Sequence, residues 1–204
     1  QDGGDLVFGG DGAVRMPRPF VEKPVAADDH AVYVYYADGW VRKAFRKTAT
    51  RSSVLERGGE TVRPLLDGAR NAEYIYERFI PCEDGRDVKV YAAGRGTVLA
   101  ALRKSPLVDG VVERDEAGLE KREETPLSAQ ERRMVERVLE ATGQFCCGFD
   151  MVRPEATCEQ RESVVIDVNG MSFVKNNPRF CRAVGAAIAE EAITRWIAAN
   201  AHRH

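Results

Sequence analysis

No stretch of this sequence approaches the roughly 20 consecutive apolar residues that a membrane-crossing helix needs, so no transmembrane segment is predicted. The opening, QDGGDLVFGGDG, offers no methionine, no basic patch and no apolar run. No signal peptide is expected there, and the chain reads as a piece of something longer. Cysteine is sparse and badly spaced. Cys82, Cys146, Cys147, Cys158 and Cys181 form no Cys-x-x-Cys pair, and their odd number leaves one over. A disulfide framework and a zinc site are both disfavoured on that count, and a reducing, cytosolic setting fits better. There is no internal repeat and no long low-complexity tract. A net charge of −2 gives no global reason to bind nucleic acid.

What is present is enough for one good-sized core: 204 residues, 44% hydrophobic and 30% charged. Local charge is less even than the total. Arg42, Lys43, Arg46, Lys47 and Arg51 fall within ten positions, and a small polyanion responds to such a local field. Residues 1–19, rich in Gly and Asp, are expected to be flexible, and residues 20–204 to form one domain. AVYVYYADGWVRKAFRK predicts two strands joined at Asp38-Gly39. Residues 51–72 are polar and predict a loop. Strands are expected over 73–80, 87–94 and 97–105, with Gly94-Arg95-Gly96 turning between the last two. Residues 106–127 read as irregular.

Ser128 with Glu131 has capping-box spacing and starts a helix whose apolar face is Met134, Val135, Val138 and Leu139; Gly143 stops it. Strands over 144–152 and 162–169 follow. A last helix, from about Asn177 to Asn200, carries Phe180, Val184, Ile188, Ala192 and Trp196 on one side. Mixed strands and helices without strict alternation give an α+β class.

The chemistry concentrates in VVIDVNGMSFVKNNPRF, residues 164–180. Residues i and i+2 of a strand share a face, so Asp167 and Asn169 project together and Val168 opposes them. Asp150 ends the neighbouring strand, and a hairpin brings it within reach. Three oxygen donors with no Cys or His among them suit a hard cation such as Mg²⁺. They are equally the residues that end strands in turns, and the spacing alone leaves both readings open. Ser172 and Lys175 follow: solvated loop residues on one reading, phosphate partners on the other.

Six segments stand in a telling order: FVEKPVAADDH (20–30), FRKTATRSSV (45–54), DVKVY (87–91), RKSPLVDGVVERD (103–115), CGFDMVR (147–153) and IDVNGMSFVKN (166–176). Together they closely resemble the kinase domain of the diphosphoinositol pentakisphosphate and inositol hexakisphosphate kinases. The match runs from about Phe20 to Asn176 and weakens in the last helix. The resemblance implies an ATP-grasp fold and an ATP- and Mg²⁺-dependent phosphotransferase. Its acceptor is a phosphate group of inositol hexakisphosphate or of diphosphoinositol pentakisphosphate.

Residue by residue, the resemblance implies that Lys23 and His30 serve the ATP phosphates. Arg46 and Lys47 are a basic pair shared between nucleotide and inositol phosphates. Glu77, Arg78, Phe79 and Ile80 form the segment that meets adenine. Asp87, with Val88 beside it, and Ser105 lie near the nucleotide, and Lys89 reaches the substrate. Arg103 and Arg114 are substrate-phosphate ligands. Asp150, Asp167 and Asn169 hold metal, with Val168 between the last two, and Ser172, Phe173, Val174 and Lys175 line the substrate side. Lys89, Arg114 and Asp167 are the catalytic candidates.

The residues agree with this in part. A ligand with many phosphates needs cations from several elements, since each Arg clamps one phosphate. Arg46 and Lys47, adjacent on a predicted strand, would serve opposite faces, as would Arg103 and Lys104. The resemblance also implies an N-terminal lobe and a following phosphatase-like domain that lie outside this sequence. Arg78 replaces a commonly acidic position, and CEDGRDVK carries one extra residue. Two alternatives stand beside the kinase: a truncated, non-catalytic module for nucleotide or inositol polyphosphate, and a carboxylate–amine ligase of the same fold. The ligase has no use for the basic clusters.

Overall fold

The computed structural model describes residues 5–9, 13–26, 31–57, 73–94, 96–170 and 178–201. The chain divides into two compact units, one built from residues 1–81 and 104–121, the other from 82–103 and 122–204. The sequence predicts a single domain over 20–204.

The first unit is all β. Where the sequence reading expects loose chain, β1 (Leu6–Phe8) and β2 (Val14–Met16) pair as a short antiparallel ribbon. A five-stranded antiparallel sheet follows, in the order β6-β5-β4-β3-β7. Its strands are β3 (Phe20–Pro24), β4 (Val32–Tyr35), β5 (Trp40–Ala44), β6 (Ser53–Arg57) and β7 (Tyr74–Arg78). The β4–β5 hairpin turns at Asp38-Gly39 as predicted, with Gly39 at φ +85°, which glycine adopts without a Cβ clash. Phe20, Tyr33, Tyr35 and Val41 make its core, with the Phe20 and Tyr35 rings stacked at 4.9 Å.

Strand β6 falls in the stretch predicted as loop. It pairs with β5 from Ser53↔Ala44 to Trp40↔Arg57. An edge strand buries one face at most, so polar composition hides it from a search for apolar runs. Gly110 fixes the 104–121 segment against this edge. At φ +76° it lies so close that a Cβ there would sit 2.1 Å from the Ser53 carbonyl oxygen.

The second unit is α+β, as is the chain as a whole. Its sheet runs β10-β9-β8-β11-β12. The strands are β8 (Cys82–Ala93), β9 (Thr97–Lys104), β10 (Glu123–Glu124), β11 (Cys146–Pro154) and β12 (Val164–Asn169). Period two sorts the central strands onto two faces. Val88, Val90, Ala92, Cys147, Phe149 and Met151 pack with Val135 of α1 (Ala129–Thr142). Tyr91, Ala93 and Cys146, on the other face, pack with Phe180 and Val184 of α2 (Pro178–Asn200). Helix α1 begins with the predicted capping box and ends at Gly143, which is left-handed at φ 63°.

The stripe predicted for the last helix is buried only at Phe180 and Val184, while Ile188 and Trp196 are exposed. The apolar patch beneath it, Tyr91 with Ala93 and Cys146, is spent within the first three turns. Among the described residues, no helix is long and apolar enough to cross a membrane.

Candidate active site

The face of the second sheet that carries Tyr91 and Ala93 also carries Lys89 and Asp87, two and four residues back along β8. Opposite Lys89, in register, stands Asp150 of β11. From β9, the other neighbour of β8, Arg103 reaches the same place. All four charged residues are buried, between 3% and 9% exposed. They satisfy one another. The Arg103 guanidinium donates to both oxygens of Asp87, at 2.6 and 3.2 Å, and to Asp150 Oδ2 at 3.0 Å. Lys89 Nζ donates to Asp150 Oδ1 at 2.8 Å.

Two carboxyls and two basic groups taken from water at this depth are each held by a partner of the opposite kind, which offsets the cost of burying them. The environment still registers the cost. Burial pushes the Lys89 ammonium down to about 8, against the pull of Asp150. Burial likewise raises the Asp87 carboxyl, opposed by Arg103.

The predicted metal donors meet at the edge of this array. Asp150 and Asp167 are directly opposed across the β11–β12 pair, and the ladder shifts register immediately afterwards. The shift keeps Asp167 on the Asp150 face while Val165 turns to the other side, into the core with Met151. Asn169 shares that face and donates its amide to Asp167 Oδ2 at 2.6 Å. Val168, paired with Phe149, points away. Val88 is fully buried in the opposite core, so its side chain faces away from the charges.

Arg122, which the sequence reading missed, donates to the Tyr91 hydroxyl. Its charge adds to the lowering of Lys89. It sits in the mixed run KREE, where no spacing distinguishes it from a solvated surface residue. Among the described residues, no three His, Cys, Asp or Glu side chains gather as a metal site. The predicted donors are two carboxylates and one amide.

The first unit holds the other candidates. Lys23 and Glu77, from adjoining strands β3 and β7, form an ion pair at 2.6 Å. Arg78 is exposed; Phe79 and Ile80 are half-buried, with the Phe79 N–H on the Pro19 carbonyl at 3.2 Å. Ser105 is buried, and its hydroxyl accepts the Leu107 N–H at 3.3 Å.

Strand β5 ends at Ala44, so Arg46 and Lys47 lie on the turn beyond it and the expectation that they serve opposite faces of a strand fails. Lys47 pairs with Glu120. Arg103 and Lys104 do face apart, since Lys104 turns to Asp109 at 2.7 Å and Glu113 at 3.6 Å. Arg114 spends its guanidinium on three backbone carbonyls. His30, Ser172, Phe173, Val174 and Lys175 lie outside the described residues. All five cysteines are free thiols.

No family model matches the chain. Among curated proteins, the rat inositol hexakisphosphate and diphosphoinositol-pentakisphosphate kinase 1 is 45% identical over 172 residues, which is 83% of this chain and 11% of that protein. The chain is similar to one segment of that kinase. A kinase of the same description from Saccharomyces cerevisiae is 42% identical over 168 residues, covering 81% of the chain and 14% of its own length. The Arabidopsis thaliana kinase VIP1 is 43% identical over 169 residues, covering 81% and 15%. The chain therefore spans only 11% to 15% of these kinases. Among solved structures, an ATP-grasp ligase associated with RiPP in Chryseobacterium gregarium, in complex with ADP and a leader and core peptide, aligns with 74% of this chain and 40% of its own. The TM-score is 0.42 and the identity 14%.

Proposed function

We propose that this chain supplies part of the catalytic region of an ATP-dependent, ATP-grasp kinase. That kinase would transfer phosphoryl groups to a phosphate of inositol hexakisphosphate or diphosphoinositol pentakisphosphate. The observation that carries this reading is the buried array of Lys89, Arg103, Asp87 and Asp150, within a chain 45% identical to a segment of a kinase named for those substrates. A phosphate acceptor is already anionic, so the reaction needs no strong general base. The obstacle is repulsion between two highly charged reactants, and fixed cations in a water-poor setting offset it best. Lys89 and Arg103 are such cations, oriented in advance by the two aspartates.

The donor set at the sheet edge fits Mg²⁺. It is all oxygen, its two carboxylates are opposed in register, and few protein ligands leave room for phosphate oxygens. Asp150, Asp167 and Asn169 would hold the ion, which when bound would offset charge on the nucleotide's phosphates. Asn169, now donating to Asp167, would turn its carbonyl oxygen inward. In this reading Lys23 and His30 serve the nucleotide phosphates, the 77–80 segment meets adenine, and Arg46, Lys47, Ser172 and Lys175 meet inositol phosphates. A longer cytosolic protein, with a further N-terminal lobe and a phosphatase-like domain, would be its context.

Titration calorimetry with inositol hexakisphosphate, with and without ATP and magnesium, tests this alongside an assay for product. The expected result is saturable binding with magnesium-dependent formation of ADP and a pyrophosphorylated inositol. Binding without product would leave a non-catalytic module in its place. No binding would overturn both.

A further inference from the structure

The resemblance makes Arg114 a phosphate ligand, but its bonds describe another task. Its Nε donates to the Ala49 carbonyl at 2.6 Å, Nη2 to the Thr48 carbonyl at 3.3 Å, and Nη1 to the Gly118 carbonyl at 2.7 Å. Thr48 and Ala49 belong to the turn that carries Arg46 and Lys47. That turn is closed from within: the Phe45 N–H bonds the Ser52 carbonyl at 3.0 Å and the Thr48 N–H the Arg51 carbonyl at 2.8 Å. Along its outer side the 110–114 strip adds the Ser52 N–H on the Gly110 carbonyl at 2.8 Å and the Val112 N–H on the Thr50 carbonyl at 3.0 Å. Arg51 and Val111 form the antiparallel bridge between them. Arg114 extends this zipper past the point where backbone N–H groups can reach.

A second arm closes on the same turn. Residues 113–121 fold back on themselves, with the Asp115 N–H on the Leu119 carbonyl at 2.8 Å and the Lys121 N–H on the Glu113 carbonyl at 2.9 Å. This sets Glu120 opposite Arg114 as bridge partners. Glu120 in turn holds Lys47. One hairpin thus grips the basic turn at its carbonyls through Arg114 and at its lysine through Glu120. A guanidinium with three N–H groups committed to carbonyls is a clamp: lysine, with a point charge and no planar fork, cannot reproduce it.

We propose that Arg114 is a positioning residue that locks the 48–51 turn and through it presents Arg46 and Lys47, rather than itself contacting a phosphate. Its consequence for inositol polyphosphate affinity rests on the function proposed above; the lock itself does not. The lock is read by amide hydrogen exchange on the ligand-free chain. Arg114→Ala and Arg114→Lys should both speed exchange at Ser52 and Val112, and unchanged exchange in both variants would overturn the proposal.

Its route to the ligand is read by a cycle with inositol hexakisphosphate as the probe. Arg114→Ala should weaken binding about tenfold in the native background but less than about twofold when Arg46 and Lys47 are already alanine, since sites acting through one another are not additive. Equal losses in both backgrounds would make Arg114 a direct ligand and sink the idea. Absence of any binding by the native chain would count against the functional reading, while hydrogen exchange would still decide the lock.

Discussion

Asp150 and Asp167 face each other across one register position of the β11–β12 pair, in unlike surroundings. Asp150 is buried and bonded to Lys89 and Arg103. Asp167 is exposed and accepts the Asn169 amide. The first is fixed by its neighbours. The second is exposed at a strand end, so it can be changed with little effect on the fold.

Asp167→Asn should therefore separate chemistry from stability. The exchange keeps the shape, removes one charge from an exposed strand end, and should alter unfolding free energy by no more than about 0.5 kcal/mol. Phosphoryl transfer in a catalytically competent kinase carrying this segment should fall by about a hundredfold or more, the scale seen when one preorganised electrostatic group is lost. Denaturant unfolding and a product assay on the same protein check both halves. Retention of most of the rate would take the metal role away from Asp167.

Much of this was legible in the sequence because it depends on local rules. Asp38-Gly39, the Ser128–Glu131 box and the i, i+2 spacing of Asp167 and Asn169 each act within a few residues, and each appears where expected. What was not legible depends on partners far along the chain. Nothing near Lys89 announces that it faces Asp150, 61 residues on, and nothing in KREE marks Arg122 as the partner of Tyr91. Strand β6 does not stand out as an apolar run because an edge strand can be polar, and Arg46 and Lys47 do not alternate across a strand because β5 stops two residues short of Arg46. The outer half of the α2 stripe has the right period but no apolar surface beneath it, and periodicity cannot report whether a partner exists.

The two kinds of ion pair in this chain should respond very differently to truncation. Asp87→Ala takes two charge-assisted hydrogen bonds from the buried Arg103 guanidinium, and should cost about 3 kcal/mol. Asp109→Ala breaks the Lys104 pair at 2.7 Å, but both groups are reached by water and the loss should stay under about 1 kcal/mol. Denaturant midpoints at unchanged slope measure the two. Comparable costs would mean that the Asp87–Arg103 contact is as solvated as the surface pair, and the preorganised array would lose its physical basis.

Acid should loosen the second unit at one identifiable carboxylate. Glu131 is only 5% exposed, at the third position of α1. Burial alone would raise its pKa. The Arg153 guanidinium, donating at 2.8 and 3.1 Å, outweighs that, together with the Ser128 N–H at 2.7 Å and the Ser163 hydroxyl at 2.9 Å. The net result holds the carboxyl down from 4.5 to about 2. A group whose folded pKa is depressed binds fewer protons folded than unfolded. Its stabilisation is complete above the unfolded value and disappears as pH falls from 4.5 towards 2. Glu131→Gln should be less stable at neutral pH, because Arg153 loses its counter-charge, and should show a flatter stability profile across that window. The two proteins should converge at the acid end. Parallel profiles, offset by a constant amount from pH 7 to 2, would place the acid sensitivity on other carboxylates.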